Sequence, residues 1–125
     1  MRRRLTLAVL ALPIVLAACG GGSSSGGSAK EQAASDSPCP SGAVVVHMKN
    51  IKFAPDQTTA KVGQTVCWVN DDSVQHDAVD ESTSAFHSAL FGKGKTFSWK
   101  ADKAGTVSYV CTVHPGMQAK LTVSG

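Results

Sequence analysis

The stretch YVCTVHPGM, from Tyr109 to Met117, constrains this chain more than any other. It contains Cys111, His114 and Met117 in the pattern C-x2-H-x2-M. A thiolate, an imidazole and a thioether in one short loop form a set of soft ligands, and soft sulfur ligands select copper. The set lacks one further imidazole, so the fold must bring another His to this loop from elsewhere in the chain.

The second histidine of the predicted site is His76, which lies in SVQHDAV, 35 residues before Cys111. Two His, one Cys and a weak axial Met are the ligand set of a blue-copper electron-transfer site. Buried Cys and Met are often only core residues, and zinc sites need further Cys or His at short spacing. The sequence near the loop has no such zinc partner. It therefore predicts one copper per chain, cycling between Cu(I) and Cu(II).

The other two histidines, His47 and His87, have no spacing that relates them to these ligands, so we expect surface or structural positions for them. Four His and no H-x-H pair exclude the type 2 and trinuclear centres of multicopper enzymes within one chain. The sequence also has no nucleophile–base–orienter signature. It predicts a protein that is not an enzyme.

From Ala43 onward the chain reads as short strands separated by turn residues. Residues 81–94 are predicted as a loop with at most one helical turn, and no amphipathic helix interrupts the strands. The pattern predicts an all-β sandwich or barrel of seven or eight strands. Strands are predicted at 44–49, 58–61, 65–69, 76–80, 96–99, 106–111 and 119–123. After a break near Asn50, Ile51 and Phe53 are expected to continue the period of two. The predicted core consists of Val46, Phe53, Val66, Trp68, Phe97, Val107, Tyr109 and Leu121.

Three stretches, KVGQTVCWVND, SVQHDAV and GTVSYVCTVHPGMQAKLTV, together resemble one family. They resemble the cupredoxins, small blue copper proteins, and most of all the plastocyanin and amicyanin branch. Within that branch the amicyanins are most similar, because their loop is equally short and has Pro after His. The resemblance implies a Greek-key β-sandwich in a domain over residues 39–125. It also implies His76, Cys111, His114 and Met117 as the copper ligands.

The resemblance assigns further roles around these ligands. In cupredoxins the residue after the first His, usually Asn, holds the ligand loops together with a hydroxyl beside the Cys; here these residues are Asp77 and Thr112. The acidic Asp77 is a departure, expected either to favour Cu(II) by its charge or to be merely solvated. Pro115 restricts the backbone behind His114. By resemblance, the His114 ring edge faces solvent in an apolar patch where a redox partner docks.

The amino terminus carries export signals. Arg2–Arg4 precede a short apolar run and the tetrapeptide LAAC, which predicts a bacterial lipoprotein signal peptide over residues 1–18. Cys19 would then be lipidated and would anchor the exported chain on the extracytoplasmic side of a membrane. The alternative is a plain secretory signal in which Cys19 is an ordinary small residue. Residues 19–38 are rich in Gly and Ser and predict a flexible tether.

Cys39 and Cys67 remain without a role in copper or lipid binding. Outside the cytoplasm such a pair favours a disulfide, which would pin the end of the tether to the sheet. Cys67 lies on the strand face opposite Val66 and Trp68, so its side chain is expected to point away from the main core. Two free thiols or a weak second metal site are the alternatives.

Charge limits the partners of the mature chain. Of the twelve basic residues three lie within 1–18, which leaves nine basic and nine acidic residues, so charge-driven nucleic-acid binding is not expected. Five acidic residues lie within five positions of His76 in the sequence. If they share an exposed face they favour a basic partner, and otherwise they only keep a loop soluble. They are Asp71, Asp72, Asp77, Asp80 and Glu81.

These features favour a monomeric, membrane-tethered blue copper protein that carries one electron. The alternative is a copper-binding or copper-delivery module without redox shuttling. Copper handlers usually have Met-rich or His-rich tracts, and this chain has three Met and four His in all, which favours the carrier.

Overall fold

The computed structural model describes residues 30–125, and this part of the chain forms eight strands and no helix. The all-β prediction of seven or eight strands is confirmed. Because residues 30–125 contain no helix, none there is long and apolar enough to cross a membrane. The predicted signal peptide, Cys19 and tether residues 20–29 lie outside the described residues. The strands are β1 (Val44–Met48), β2 (Phe53–Ala54), β3 (Gln57–Lys61), β4 (Thr65–Asn70), β5 (Val79–Asp80), β6 (Thr96–Lys100), β7 (Gly105–Val110) and β8 (Gln118–Ser124).

The strands form two four-stranded sheets. The first sheet has the order β2-β1-β4-β6 and the second β3-β8-β7-β5. β1 pairs with β4 and β3 with β8 in parallel, whereas the remaining neighbours are antiparallel. β4 ends at Asn70 in the first sheet and β7 ends at Val110 in the second. The segments that follow these two strands carry His76 and Cys111, so the sandwich brings distant parts of the sequence to one end.

The core lies between the sheets and is centred on Trp68 of β4. Alternate side chains of the strands point inward, and the Trp68 ring lies 4.9 Å from Phe86, 5.5 Å from Phe97 and 5.5 Å from Tyr109 between ring centroids. Burying one such side chain contributes about 1.5–3 kcal/mol, so this cluster stabilises the end of the sandwich at which β4 and β7 finish. The predicted core residues are all buried: Val46, Phe53, Val66, Trp68, Phe97, Val107, Tyr109 and Leu121.

The turn between β1 and β2 differs from the predicted pattern. Ile51 does not continue a strand, because Asn50 and Ile51 adopt φ values of 54° and 58° in the left-handed region. A β-branched residue rarely adopts this conformation. The apolar alternation that includes Ile51 and Phe53 therefore gave a wrong prediction at Ile51, whose side chain is 48% exposed.

The segment after His76 also forms less strand than predicted. His76 pairs with Phe91 in an isolated bridge, and regular pairing begins only at Val79. Residues 81–94 form a loop without a helical turn, which agrees with the prediction of a loop with at most one such turn. Asp80 accepts hydrogen bonds from the amides of Ser82, Thr83 and Ala85, and these bonds fold the chain into a compact loop.

Residues 31–39, called the amino-terminal strap, lie against the sandwich. Ser35 pairs with Thr96 at the edge of β6, and Gln32 exchanges backbone hydrogen bonds with His87 and Ala89 at 2.7 Å each. The composition predicts a flexible tether here, whereas pairing with an open strand edge orders the chain. The strap also covers an edge that would otherwise be free to pair with another molecule.

The strap ends at a disulfide between Cys39 and Cys67, with Cα atoms 5.8 Å apart. The predicted bridge is confirmed. Cys67 is fully buried although it lies outside the main core cluster, because its partner Cys39 covers the outer face of β4. Among the described residues Cys111 is the one free cysteine.

Candidate metal centre

Three of the four predicted ligands converge at the end of the sandwich. Cys111 Sγ lies 3.3 Å from His114 Nδ1 and 3.7 Å from His76 Nδ1, and the two Nδ1 atoms are 3.1 Å apart. Donor atoms that bind one transition-metal ion at about 2.0–2.3 Å lie roughly 3–4 Å from one another. The three donors therefore fit a single ion. Two imidazoles and one thiolate are the donor set that suits copper.

The loop that carries the other ligands closes on itself directly after β7. The Cys111 amide donates to the Met117 carbonyl at 2.9 Å, and the Met117 amide donates to the His114 carbonyl at 3.1 Å. Gly116 has a φ of 82°, which a residue without Cβ adopts at no steric cost. Met117 is 3% exposed, and its backbone is bonded to Cys111. Its role as the axial ligand stays a prediction.

The two histidines differ in their exposure. His76 is fully buried, and its backbone exchanges hydrogen bonds with Phe91 at 3.2 and 2.9 Å. His114 is half-buried and is flanked by exposed Val113 and Pro115. Of the two imidazoles, His114 is therefore the one that reaches the surface of the protein.

The predicted pair Asp77 and Thr112 joins the two ligand segments. Asp77 Oδ1 accepts the Thr112 amide at 2.6 Å, and its other oxygen accepts the Thr112 hydroxyl. The Asp77 side chain is buried, with 4% exposure, so it is not the solvated residue of the alternative interpretation. Because Asp77 follows His76 and Thr112 follows Cys111, the pair fixes the spacing of these two ligands.

Asn70 supports the site and was not predicted from the sequence. It is fully buried, and its side-chain amide donates to the carbonyls of Val74 and Phe91 at 2.8 Å each. Its Oδ1 accepts the Asp72 amide at 2.8 Å. A polar residue that ends the apolar strand β4 is the one sequence signal for this role, since buried amides need hydrogen-bond partners.

Residues 40–124 match the model of a family described as copper binding proteins, plastocyanin/azurin family. The chain belongs to this family. The cupredoxin resemblance of the sequence is thereby confirmed, and so is the prediction of a cupredoxin β-sandwich.

Individual relatives agree with this assignment. Amicyanin of Paracoccus versutus is 33% identical over 97 residues, which cover 74% of this chain and 74% of the relative. Plastocyanin of Scenedesmus fuscus is 35% identical over 94 residues, which cover 67% of this chain and 89% of the plastocyanin. The fold is similar to the reduced Cu(I) form, at pH 4, of an amicyanin variant, with a TM-score of 0.65, 30% identity and coverage of 72% of this chain and 94% of that one.

The free thiol of this cupredoxin, on Cys111, is buried. Burial raises the pKa of Cys111, and the negative charge of Asp77 acts in the same direction, although backbone amides oppose both. Without a metal the sulfur therefore keeps its proton at neutral pH. A bound cation would displace that proton, because the thiolate is the form that binds metal.

The five acidic residues around His76 do not share one exposed face, so the condition for a basic partner is not met. Asp77 and Asp80 are buried, with 4% and 3% exposure. Asp77 accepts hydrogen bonds from the distant Thr112, and Asp80 accepts them from the loop that follows it. The Asp72 side chain is 15% exposed and contacts His76, and Asp71 contacts His47 at 2.6 Å. Of the five acidic residues, Glu81 and Asp71 are the exposed ones, and the expectation of a basic partner loses its support.

His47 and His87 lie apart from the donor cluster, as expected for surface residues. Their side chains are 52% and 39% exposed. His87 Nε2 lies 3.9 Å from a Glu31 carboxylate oxygen in the strap. Neither histidine belongs to the metal-binding group of the described residues.

Replacing Thr112 by Val tests the link between the ligand segments. Thr112→Val removes the hydroxyl that donates to Asp77 and keeps the amide, so the metal-free protein should lose about 1 kcal/mol of unfolding free energy. Chemical denaturation measures this loss. Thr106→Val, on the exposed face of β7, is the matched control and should change stability by less than about 0.5 kcal/mol. Equal effects of both substitutions would contradict a special role for Thr112.

Proposed function

We propose that this protein is a mononuclear blue copper protein that carries one electron, with copper held by His76, Cys111, His114 and Met117. The convergence of Cys111 Sγ and the two Nδ1 atoms within 3.1–3.7 Å of one another is the observation that carries the proposal. Copper bound by such a set supplies a reversible one-electron couple. Membership of a copper-binding family supports the same conclusion.

The surrounding residues suit electron transfer because they restrict ligand movement. His76 is held at its backbone by Phe91 and at its ring by Asp72. Cys111 and Met117 are held by the hydrogen bonds within their own loop. Ligands that are already in place need little rearrangement when the metal changes its charge. Burial of His76, Cys111 and Met117 also excludes water from most of the site.

Replacing the thiolate ligand tests the copper site. The oxidised wild-type protein should bind one copper per chain and show an intense visible band, because charge transfer from thiolate to Cu(II) produces it. Cys111→Ser should abolish that band in the absorption spectrum. The double variant Cys39→Ser/Cys67→Ser, which lacks only the disulfide, should stay blue. A Cys111→Ser protein that kept the band would overturn the assignment.

We further propose that electrons enter and leave through His114 while the protein acts as a monomer. His114 is the more exposed imidazole, and Val113 beside it is 47% exposed. Pro115 and Gly116 complete a small apolar surface around the ring. Weak redox encounters use small interfaces, so such a surface suffices for brief contact with a partner protein.

A charge placed on this surface tests the electron route without knowledge of the partner. In electron self-exchange two copies of the protein meet, and Pro115→Lys would place like charges opposite each other at the contact. The self-exchange rate, measured by NMR line broadening, should fall about tenfold or more at low salt. Thr122→Lys adds the same charge on the outer face of β8, five residues beyond the end of the ligand loop. It should have a much smaller effect, and a larger effect of Thr122→Lys would contradict the route.

We also propose that the chain is exported and attached to a membrane through Cys19. The LAAC sequence and the Gly/Ser-rich segment that follows it support this proposal. A tether of the predicted length 19–38 would reach about 20–25 Å. Because the strap pairs with β6, the tether would be shorter than these 20 residues.

Replacing Cys19 tests the anchor. The protein from native membranes should partition into detergent and carry acyl chains, since several chains together hold a protein stably. Cys19→Ala should release it into the aqueous phase or block its maturation. Mass spectrometry that finds an unmodified mature amino terminus on the wild-type protein would exclude lipidation.

A further inference from the structure

We propose that Asp72 is a positioning residue of the metal centre, whose carboxylate orients His76 and biases bound copper toward Cu(II). This inference rests on the proposed copper site. The residue is absent from the ligand motif and precedes His76 by four positions, so the sequence alone marks it only as one of several acidic residues.

The contact between the two side chains is direct. His76 Nε2 lies 2.8 Å from Asp72 Oδ2, while His76 Nδ1 faces Cys111 Sγ and His114 Nδ1. An imidazole has two nitrogens, and the one bonded to a carboxylate carries the proton. The Asp72 contact therefore leaves the lone pair of Nδ1 directed into the donor cluster. It also fixes the plane of a ring that is fully buried.

Asp72 is itself held by the turn between β1 and β2. Its Oδ1 accepts the Asn50 amide at 2.8 Å and its Oδ2 accepts the Ile51 amide at 2.9 Å. Two successive amides that point at one carboxylate form an anion-binding nest. The Asp72 backbone amide is bonded in turn to Asn70 at the end of β4. The carboxylate thus has fixed partners on three sides.

The conformation of the turn is explained by this contact. Asn50 and Ile51 both have left-handed φ values, and half of the Ile51 side chain is exposed, so core packing does not require the conformation. Backbone of this kind persists where the surroundings hold it, typically beside functional sites. The Asp72 carboxylate is the group that the two amides bind.

The charge of Asp72 has a consequence for the metal. A carboxylate bonded to the far nitrogen of a metal-binding imidazole makes the ring a stronger donor. A stronger donor and a nearby negative charge both favour Cu(II) over Cu(I). Asp72 should therefore lower the reduction potential of the site.

Asp71 provides a matched control for the test. It carries the same charge one residue earlier, but it lies on the surface and contacts His47, not a proposed ligand. Asp71→Asn and Asp72→Asn each remove one negative charge, and the two residues are neighbours in the sequence. Asp72→Asn still offers an oxygen to His76, whereas Asp72→Ala removes the hydrogen bond as well.

The experiment uses the copper-loaded full-length protein. Voltammetry measures its reduction potential, and titration with Cu(II) measures its affinity for that ion. Asp72→Asn should raise the potential clearly more than Asp71→Asn does. Asp72→Ala should in addition weaken Cu(II) binding about 10- to 100-fold. If Cu(II) affinity falls tenfold while Cu(I) affinity is unchanged, the potential rises by about 59 mV. Equal potentials for Asp71→Asn and Asp72→Asn would overturn the proposal.

A second measurement needs no substitution and so does not depend on whether the variants fold. In the metal-free wild-type protein, ¹⁵N NMR should place the proton of the neutral His76 ring on Nε2 with slow solvent exchange. A proton on Nδ1 would overturn the inference. A wild-type protein that binds no copper would instead refute the proposed function, so the two failures are distinguishable.

Discussion

The hydrogen bonds between Asp77 and Thr112 are the constraint on which the metal centre depends. His76 and Cys111 are separated by β5, β6 and β7, so no local geometry holds them together. Asp77 belongs to one ligand segment and Thr112 to the other, and the buried carboxylate bonds both the amide and the hydroxyl of Thr112. Loss of these partners would leave a buried charge unsatisfied, which is costly. The sandwich brings the two segments close, and this contact sets their spacing.

A second set of contacts supports His76 from the side of β4. Asn70, at the end of β4, is hydrogen-bonded to Phe91 and to Asp72. Asp72 in turn is hydrogen-bonded to the His76 ring and to the turn after β1. The His76 segment is thus attached to strands of the core rather than to its own loop alone. Such attachment restricts the movement of the His76 ring.

The sequence predicts the strands, the core and the disulfide because each follows from a short-range pattern or from the compartment. It also predicts that His76, Cys111 and His114 share a site, since the donor types themselves limit the chemistry. It does not predict that the strap pairs with β6, because an open strand edge is a property of the assembled sheet. The positions of acidic residues in the sequence likewise do not predict which of them are buried. Asp77 and Asp80 are therefore internal hydrogen-bond acceptors, although their sequence context favours a surface.

X-ray absorption at the copper edge reports which atoms surround the metal and whether they stay in place on reduction. The copper-loaded protein should show one sulfur and two nitrogen neighbours at short distance. This pattern should change little between the oxidised and the reduced protein, because the ligands are held by the core. A copper environment without a short sulfur neighbour would rule out Cys111 as a ligand. One that gains or loses a nitrogen neighbour on reduction would show that the core does not hold the ligands in place.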